Sequence, residues 1–250
     1  PGTYTETANV EMKNYVDVEG SGQDITTIEC ACTNFNKDER ASVISAGAIT
    51  AELRHLTVSN TGGSQDSGYG IYMNGVTDGS FSMLDMTVTA TSTSVSTWFI
   101  KAVYSKNSAY TMDNVTVIGS AGKYNQALNN EGDTGNGTAV LNNVTVTAVG
   151  GTYNTALYNY ETSAVAITNA TISATGGANT NNAVSAADAN FTIQNSSLTG
   201  ATNSISNSQN SVAKIANTKL DGPVAVASGA TLACSGAYNA AFETLNATCT

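Results

Sequence analysis

Charge is what this sequence has least of. Among 250 residues only 11% are Asp, Glu, Lys or Arg, less than half the usual share. Ser, Thr, Asn and Gly must therefore cover the surface. The few charges are lopsided, with 9 basic residues against 19 acidic, a net charge of -10 and a pI near 4.3. Such a chain repels phosphate backbones and anionic bilayers, so no nucleic acid and no membrane surface is expected as partner. No run approaches the roughly 18 apolar residues of a membrane span, and no basic-then-apolar signal peptide opens the chain. The abrupt start Pro1-Gly2-Thr3-Tyr4 reads as the remainder of a processed precursor. Hydrophobic residues at 41% exclude disorder by composition, and 25.5 kDa is enough for one domain with a large core.

Repetition is what the chain has in abundance. The segment LNNVTVTAVGG, Leu141 to Gly151, has near copies up and down the sequence. Aligned on the residue before the apolar-Thr-apolar triplet, the anchors are His55, Asp85, Asn114, Asn143, Asn169, Asn195 and Asn217, spaced 30, 29, 29, 26, 26 and 22 residues apart. Two residues before them stand Leu53, Met83, Met112, Leu141, Ile167, Ile193 and Ile215. Three after stand Val58, Val88, Val117, Val146, Ile172, Leu198 and Leu220. Alternate residues of a strand face opposite sides, so each anchor marks a corner between two short strands with apolar inner faces.

A further strand is centred 11 to 15 residues before each anchor, on Ile71, Val103, Leu128, Leu157, Val184 and Ile205. Three short strands per lap, two prolines in all, and gaps too short for crossover helices predict an all-β, single-domain parallel β-helix. Asparagine at the corner is expected to bond its own turn and the lap above, giving a ladder of Asn114, Asn143, Asn169, Asn195 and Asn217. This pattern resembles right-handed parallel β-helices of the pectate-lyase type, which carry an Asn ladder between their second and third strands. The resemblance runs from about Tyr15 to Ser228. The stretch YVDVEGSGQDITTI is similar to the first coil of pectinesterase-like and related secreted bacterial β-helix surface proteins. Solenoid is expected over residues 1–229 and a cap over 230–250.

Four asparagines of the ladder, Asn114, Asn143, Asn169 and Asn195, open Asn-x-Ser/Thr sequons; burial in the turn is expected to bar a glycan. Asn136 and Asn246, outside the ladder, are better acceptors. Of the four cysteines, Cys234 and Cys249 are expected to close a C-terminal cap in which Ala241, Phe242 and Leu245 form one face of a short helix. Cys30 and Cys32 stay open between an intrachain bridge, free thiols and an intermolecular bridge. A C-x-C pair lacks two partners for zinc, so neither metal nor cofactor is expected. Paired cysteines and a Lys-poor surface point to an extracellular or cell-surface setting.

Residues for bond cleavage are scarce. The outward positions of the first strands, Tyr72, Tyr104, Asn129, Tyr158, Ser185 and Ser206, hold no acid. The Asp-Asp and Gly-His-Gly signatures of polygalacturonases are absent, as is the Gly-x-x-Asp-Phe stretch of pectinesterases. Arg40 and Arg54 are the two arginines. The Asp38-Glu39-Arg40 run reads as solvated surface and His55 as a corner residue; Asp85 is expected to stack beside Asp113.

Two surfaces remain. Thr57, Thr87, Thr116, Thr145 and Thr171, with a second row two residues on, form an array similar to that of ice-binding solenoids, interrupted at Ile118, Lys219 and Asp221. Tyr72, Tyr104 and Tyr158 form a candidate binding face. The leading expectation is a non-enzymatic structural or adhesive protein of a cell surface or filament, self-associating head to tail. The alternative is a polysaccharide-binding or polysaccharide-degrading β-helix using the tyrosine face, and ice binding stands third.

Overall fold

The computed structural model describes residues 1–32, 40–62, 67–77, 80–92, 98–133 and 137–250. Asp38, Glu39 and Asn136 lie outside the described residues. The described residues form strands and turns, and among them no helix is long and apolar enough to cross a membrane.

Each strand pairs in parallel with its equivalent one lap on, building three walls. Wall A carries the inward column Val10, Val43, Ile71, Val103, Leu128, Leu157, Val184, Ile205 and Val224. Wall B carries Val18, Leu53, Met83, Met112, Leu141, Ile167, Ile193, Ile215 and Cys234. Wall C runs from Tyr4 and Ile28 through Val58, Val88, Val117, Val146, Ile172, Leu198 and Leu220 to Asn239. The three columns predicted from spacing are thus the three inner faces of a parallel β-solenoid. From Leu53 to Ile215 the wall B column is at most 2% exposed, and each such side chain contributes about 1.5–3 kcal/mol by leaving water. No single lap could bury its own apolar face; stacking makes the core continuous.

The recurring corner residue has a backbone reason. His55, Asp85, Asn114, Asn143, Asn169, Asn195 and Asn217 all sit in the left-handed region, at φ between 47° and 56°. Asn and Asp tolerate that conformation best after glycine, and Gly236 takes it at the next corner, φ 65°. One left-handed residue resets the strand alternation, so positions two before and one after both point inward.

The expected burial of these corners is wrong. The five asparagine side chains are exposed, and they do not bond one another in a file. Asn114 donates to Asp85 (2.6 Å), Asn143 to Asp113 (3.1 Å) and Asn169 to Asn142 (3.3 Å). Burial therefore gives no reason for these sequons to refuse a glycan. Asp113 pairs in register with Leu84, so it does not stack on Asp85.

The buried amides lie elsewhere. Asn125, Asn154 and Asn181 are successive partners at the turn from wall C to wall A, 0%, 0% and 8% exposed. Asn154 donates to the carbonyl of Thr175 (2.6 Å) and to Asn181 Oδ1 (3.2 Å), and Asn125 to the carbonyls of Gly119 (2.8 Å) and Val149 (3.1 Å). A second set, Asn130, Asn159 and Asn207, ends wall A; Asn159 donates to the carbonyl of Asn190 and Asn207 to that of Thr231. Asn125, Asn154, Asn159 and Asn207 satisfy carbonyls that a tight turn would otherwise orphan, while Asn130 Oδ1 accepts from the Tyr110 hydroxyl.

At the C-terminus, Thr231–Ser235 and Tyr238–Asn239 still pair with the lap before, so the solenoid runs past residue 230, the expected boundary. Residues 240–250 then fold over as turns without the expected helix. Asn239 Oδ1 accepts from the backbone of Ala241 and Glu243, and Asn246 Oδ1 from Thr248 and Thr250, local bonds that compete with a helix. Phe242 is 78% exposed, while Leu245 packs against the core. Disulfides join Cys234 to Cys249 and Cys30 to Cys32.

Candidate functional site on wall A

Wall A differs from the other two walls in what it turns outward. Seven of the eleven tyrosines lie on its strands, Tyr69, Tyr72, Tyr104, Tyr124, Tyr153, Tyr158 and Tyr160. Three laps, Phe99–Lys106, Tyr124–Gly132 and the second half of Thr145–Glu161, hold most of them.

The expected tyrosine face splits in two. Tyr72 and Tyr104 are 3% and 2% exposed, packed with Tyr69, Ala41 and Ile44 in an apolar cluster outside the main core. They are not an open binding face. Tyr104 stacks on Tyr72 at 5.1 Å and carries the Lys101 ammonium 3.6 Å from its ring centroid. Tyr158 is half-buried and stacks on Tyr160, two residues on, at 5.8 Å.

Along the opposite edge of the wall, Phe99, Tyr124 and Tyr153 are partners in register. Their centroids step by 5.3 and 5.0 Å, with Trp98 stacked on Tyr124 at 6.1 Å. These rings face one another and offer their edges and hydroxyls outward. Trp98 is 49% exposed, with the Lys123 ammonium 4.1 Å from its ring centroid.

The charged part of the site lies two residues beyond the outward positions at which the sequence shows no acid. Lys106, Glu131 and Tyr160 are register partners, and Gly132 pairs with Glu161. Lys106 Nζ lies 3.2 Å from Glu131 and 3.0 Å from Asp133. The Tyr104 hydroxyl donates to the other Glu131 oxygen at 2.7 Å. Carboxylate oxygens of Glu131, Asp133 and Glu161 all lie within 4.8 Å of one another. Glu161 takes the left-handed conformation, φ 56°, at a corner where neighbouring laps use Asn107, Asp188 and Gln209. A glutamate side chain is too long to bond its own turn as Asn or Asp does, and the conformation costs of the order of 1–2 kcal/mol.

Electrostatics follow from this crowding. Hydrogen bonding to Asp133 lifts the Glu161 carboxyl above the ordinary range, with burial and the charges of Asp133 and Glu131 adding to it. Lys106 is raised by its bonds to Asp133 and Glu131. Burial raises Tyr158, and the charge of Glu161 raises Tyr160, so both stay protonated as donors. Three clustered carboxylates form a donor set for a divalent cation, but the Lys106 ammonium already lies among them. The carboxyl oxygens left free by Lys106 and Tyr104 can accept hydrogen bonds from hydroxyls.

Wall C presents the predicted threonine rows in register, Thr57, Thr87, Thr116, Thr145 and Thr171. Outward residues there bond among themselves, as in Thr89 to Ser59 (3.1 Å) and Thr147 with Ser173 (3.3 Å). Lys219 and Asp221 pair with each other at 3.5 Å beyond the last row. A recess of about 520 Å³ on wall B is lined by Val140, Ala166, Phe191 and Val212 among others, with Lys214 as its charged group. It contains no acid–base pair. His55 lies 3.7 Å from Asp85 at the exposed corner between walls B and C.

No family model matches the chain. No curated protein matches it either. Among solved structures it is similar to the A-module of the mannuronan C-5 epimerase AlgE4 of Azotobacter vinelandii, at 14% identity over 98% of this chain and 82% of that one, with a TM-score of 0.38. It is also similar to the catalytic domain of a GH87 alpha-1,3-glucanase in complex with nigerose, at 12% identity over 94% of this chain and 59% of that one, TM-score 0.28. Likeness at this level carries no functional argument, and the fold rests on the strand register.

Proposed function

We propose that this protein is an extracellular parallel β-helix that binds an extended polysaccharide along wall A. The observation that carries the reading is the concentration there of Tyr158 and Tyr160 beside the Lys106–Glu131–Asp133–Glu161 cluster, with Trp98, Tyr124 and Tyr153 along the opposite edge of the same wall. Walls B and C turn out mainly Thr, Ser, Ala and Val. Tyrosine and tryptophan combine an apolar ring with a polar tip, which suits a ligand with apolar ring faces and hydroxyl edges. A solenoid wall is also long and straight enough to follow a polymer. Two disulfides support an oxidising, extracellular location.

Native affinity electrophoresis in gels cast with a polysaccharide panel tests the reading. Retardation by at least one polymer is expected, reduced at least about fivefold in Tyr158→Ala/Tyr160→Ala, where each lost anchor removes ~1 kcal/mol. Equal mobility in every gel would remove the reading.

One observation favours a second reading, self-association. The strand Gly2–Glu6 is exposed at all five residues and pairs with Thr26–Cys30. Nearby Tyr4, Tyr15, Val16 and Ile25 are 52%, 80%, 51% and 53% exposed. Sedimentation velocity distinguishes a monomer from a growing series of oligomers.

A further inference from the structure

We infer that the polysaccharide taken by wall A is uncharged, a polymer of neutral sugars and not a polyuronate. This rests on the reading of wall A as a polysaccharide surface and adds its substrate class. A polyuronate would have to approach a chain of net charge -10, which repels it over roughly the Debye length of 8–10 Å at physiological salt. On arrival it would need cations able to pair with its carboxylates.

The cations on and beside this wall, Lys101, Lys106, Lys123 and Arg40, which hydrogen-bonds Tyr69, each already have a partner. Lys106 is held by Glu131 and Asp133 at 3.2 and 3.0 Å. Lys101 is 7% exposed, its ammonium over the Tyr104 ring. Lys123 lies over Trp98 at the far edge of the wall. Solvent reaches instead the exposed Asp133 and the partly exposed Glu131 and Glu161, whose carboxyl groups repel carboxylates and accept from hydroxyls through the oxygens left free, together with the hydroxyls of Tyr158 and Tyr160. A uronate would place like charges within contact distance, while a neutral sugar donates to the same oxygens through charge-assisted hydrogen bonds.

The test uses the full chain in affinity gels containing a galactomannan, a mixed-linkage glucan, a dextran, polygalacturonate or alginate, at low and high salt. Retardation by at least one neutral polymer, insensitive to salt, and none by the two polyuronates is the expected result. The double variant Glu131→Gln/Asp133→Asn releases Lys106 and should gain polyuronate retardation by roughly tenfold, the effect of one new charged hydrogen bond. Its far-UV circular dichroism must match the parent. Salt-sensitive retardation of the parent by a polyuronate, with free migration in the neutral gels, would overturn the inference and leave polysaccharide binding standing. Free migration in all five gels would sink both. A folded double variant without the gain would overturn the inference, which is argued from the commitment of Lys106.

Discussion

Replacing Asn143 by glycine and by valine separates two accounts of the repeating corner. Asn143 has φ 52° and an exposed side chain whose amide reaches Asp113 at 3.1 Å. If the backbone conformation is what selects asparagine, glycine removes the left-handed penalty. It forfeits one exposed hydrogen bond of about 0.5–1 kcal/mol and about 0.5–1 kcal/mol of chain entropy. The net change should lie within about 1 kcal/mol of zero. Valine must keep its Cβ in a region that costs L-residues roughly 1–2 kcal/mol, more when β-branched, and loses the same bond, for a total of about 2–3 kcal/mol. Asn154→Ala supplies the contrast, because its buried amide caps the Thr175 carbonyl at 2.6 Å. Orphaning that group and losing two bonds should cost about 2–4 kcal/mol. Urea unfolding read by circular dichroism orders the three variants. The valine variant should lose roughly 4–12 °C in Tm if each kcal/mol is worth about 2–4 °C in a chain of this size. A glycine variant as unstable as the valine variant would refute the backbone account and restore the side-chain ladder as cause.

Further outcomes follow from the same structure. Cys234→Ser with Cys249→Ser opens a loop of sequence separation 15; a loss of about 3 kcal/mol is expected in non-reducing thermal melts, and none beyond that of the parent under reductant. The folded-state pKa of Glu161 is raised, so the native protein holds its proton longer than the unfolded chain does. This group therefore adds stability below its raised pKa, and that contribution is lost as pH rises from the ordinary carboxylate value through the raised one. Glu161→Gln should flatten this part of a Tm-versus-pH curve, and an unchanged curve would deny the coupling to Asp133. Thr116→Tyr and Thr145→Tyr, on wall C, should leave polysaccharide retardation as it was; they also test ice recrystallisation inhibition, and unchanged inhibition would end the ice-binding reading.

How far the sequence reaches is visible residue by residue. Spacing alone placed Leu141 beside Ile167 and Met112, because a period-two pattern repeated at each lap has one way to bury all its apolar columns. It also found the Cys234–Cys249 bridge. The corner asparagines were legible as corners but not as exposed ones, since a left-handed backbone and a buried amide favour the same residue type. Asn154 and Asn159, the buried amides, lie outside the corner triplet but do recur, in the segments YNQALNN (Tyr124 to Asn130) and YNTALYN (Tyr153 to Asn159). That short repeat was the signal available for them, and it does not extend to the earlier laps, where Ile100 and Gly68 hold the register of Asn125.

What the sequence determined by itself is the solenoid, because its apolar columns are a local, periodic property of every lap. What only the tertiary structure decided is the site. Lys106, Glu131, Asp133 and Glu161 come from three different laps whose lengths vary, so their meeting depends on how each loop closes. Tyr72 and Tyr104 went inside for the same kind of reason: an outward position on a strand becomes buried when other parts of the fold cover it, and alternation along a strand has no record of what lies above it.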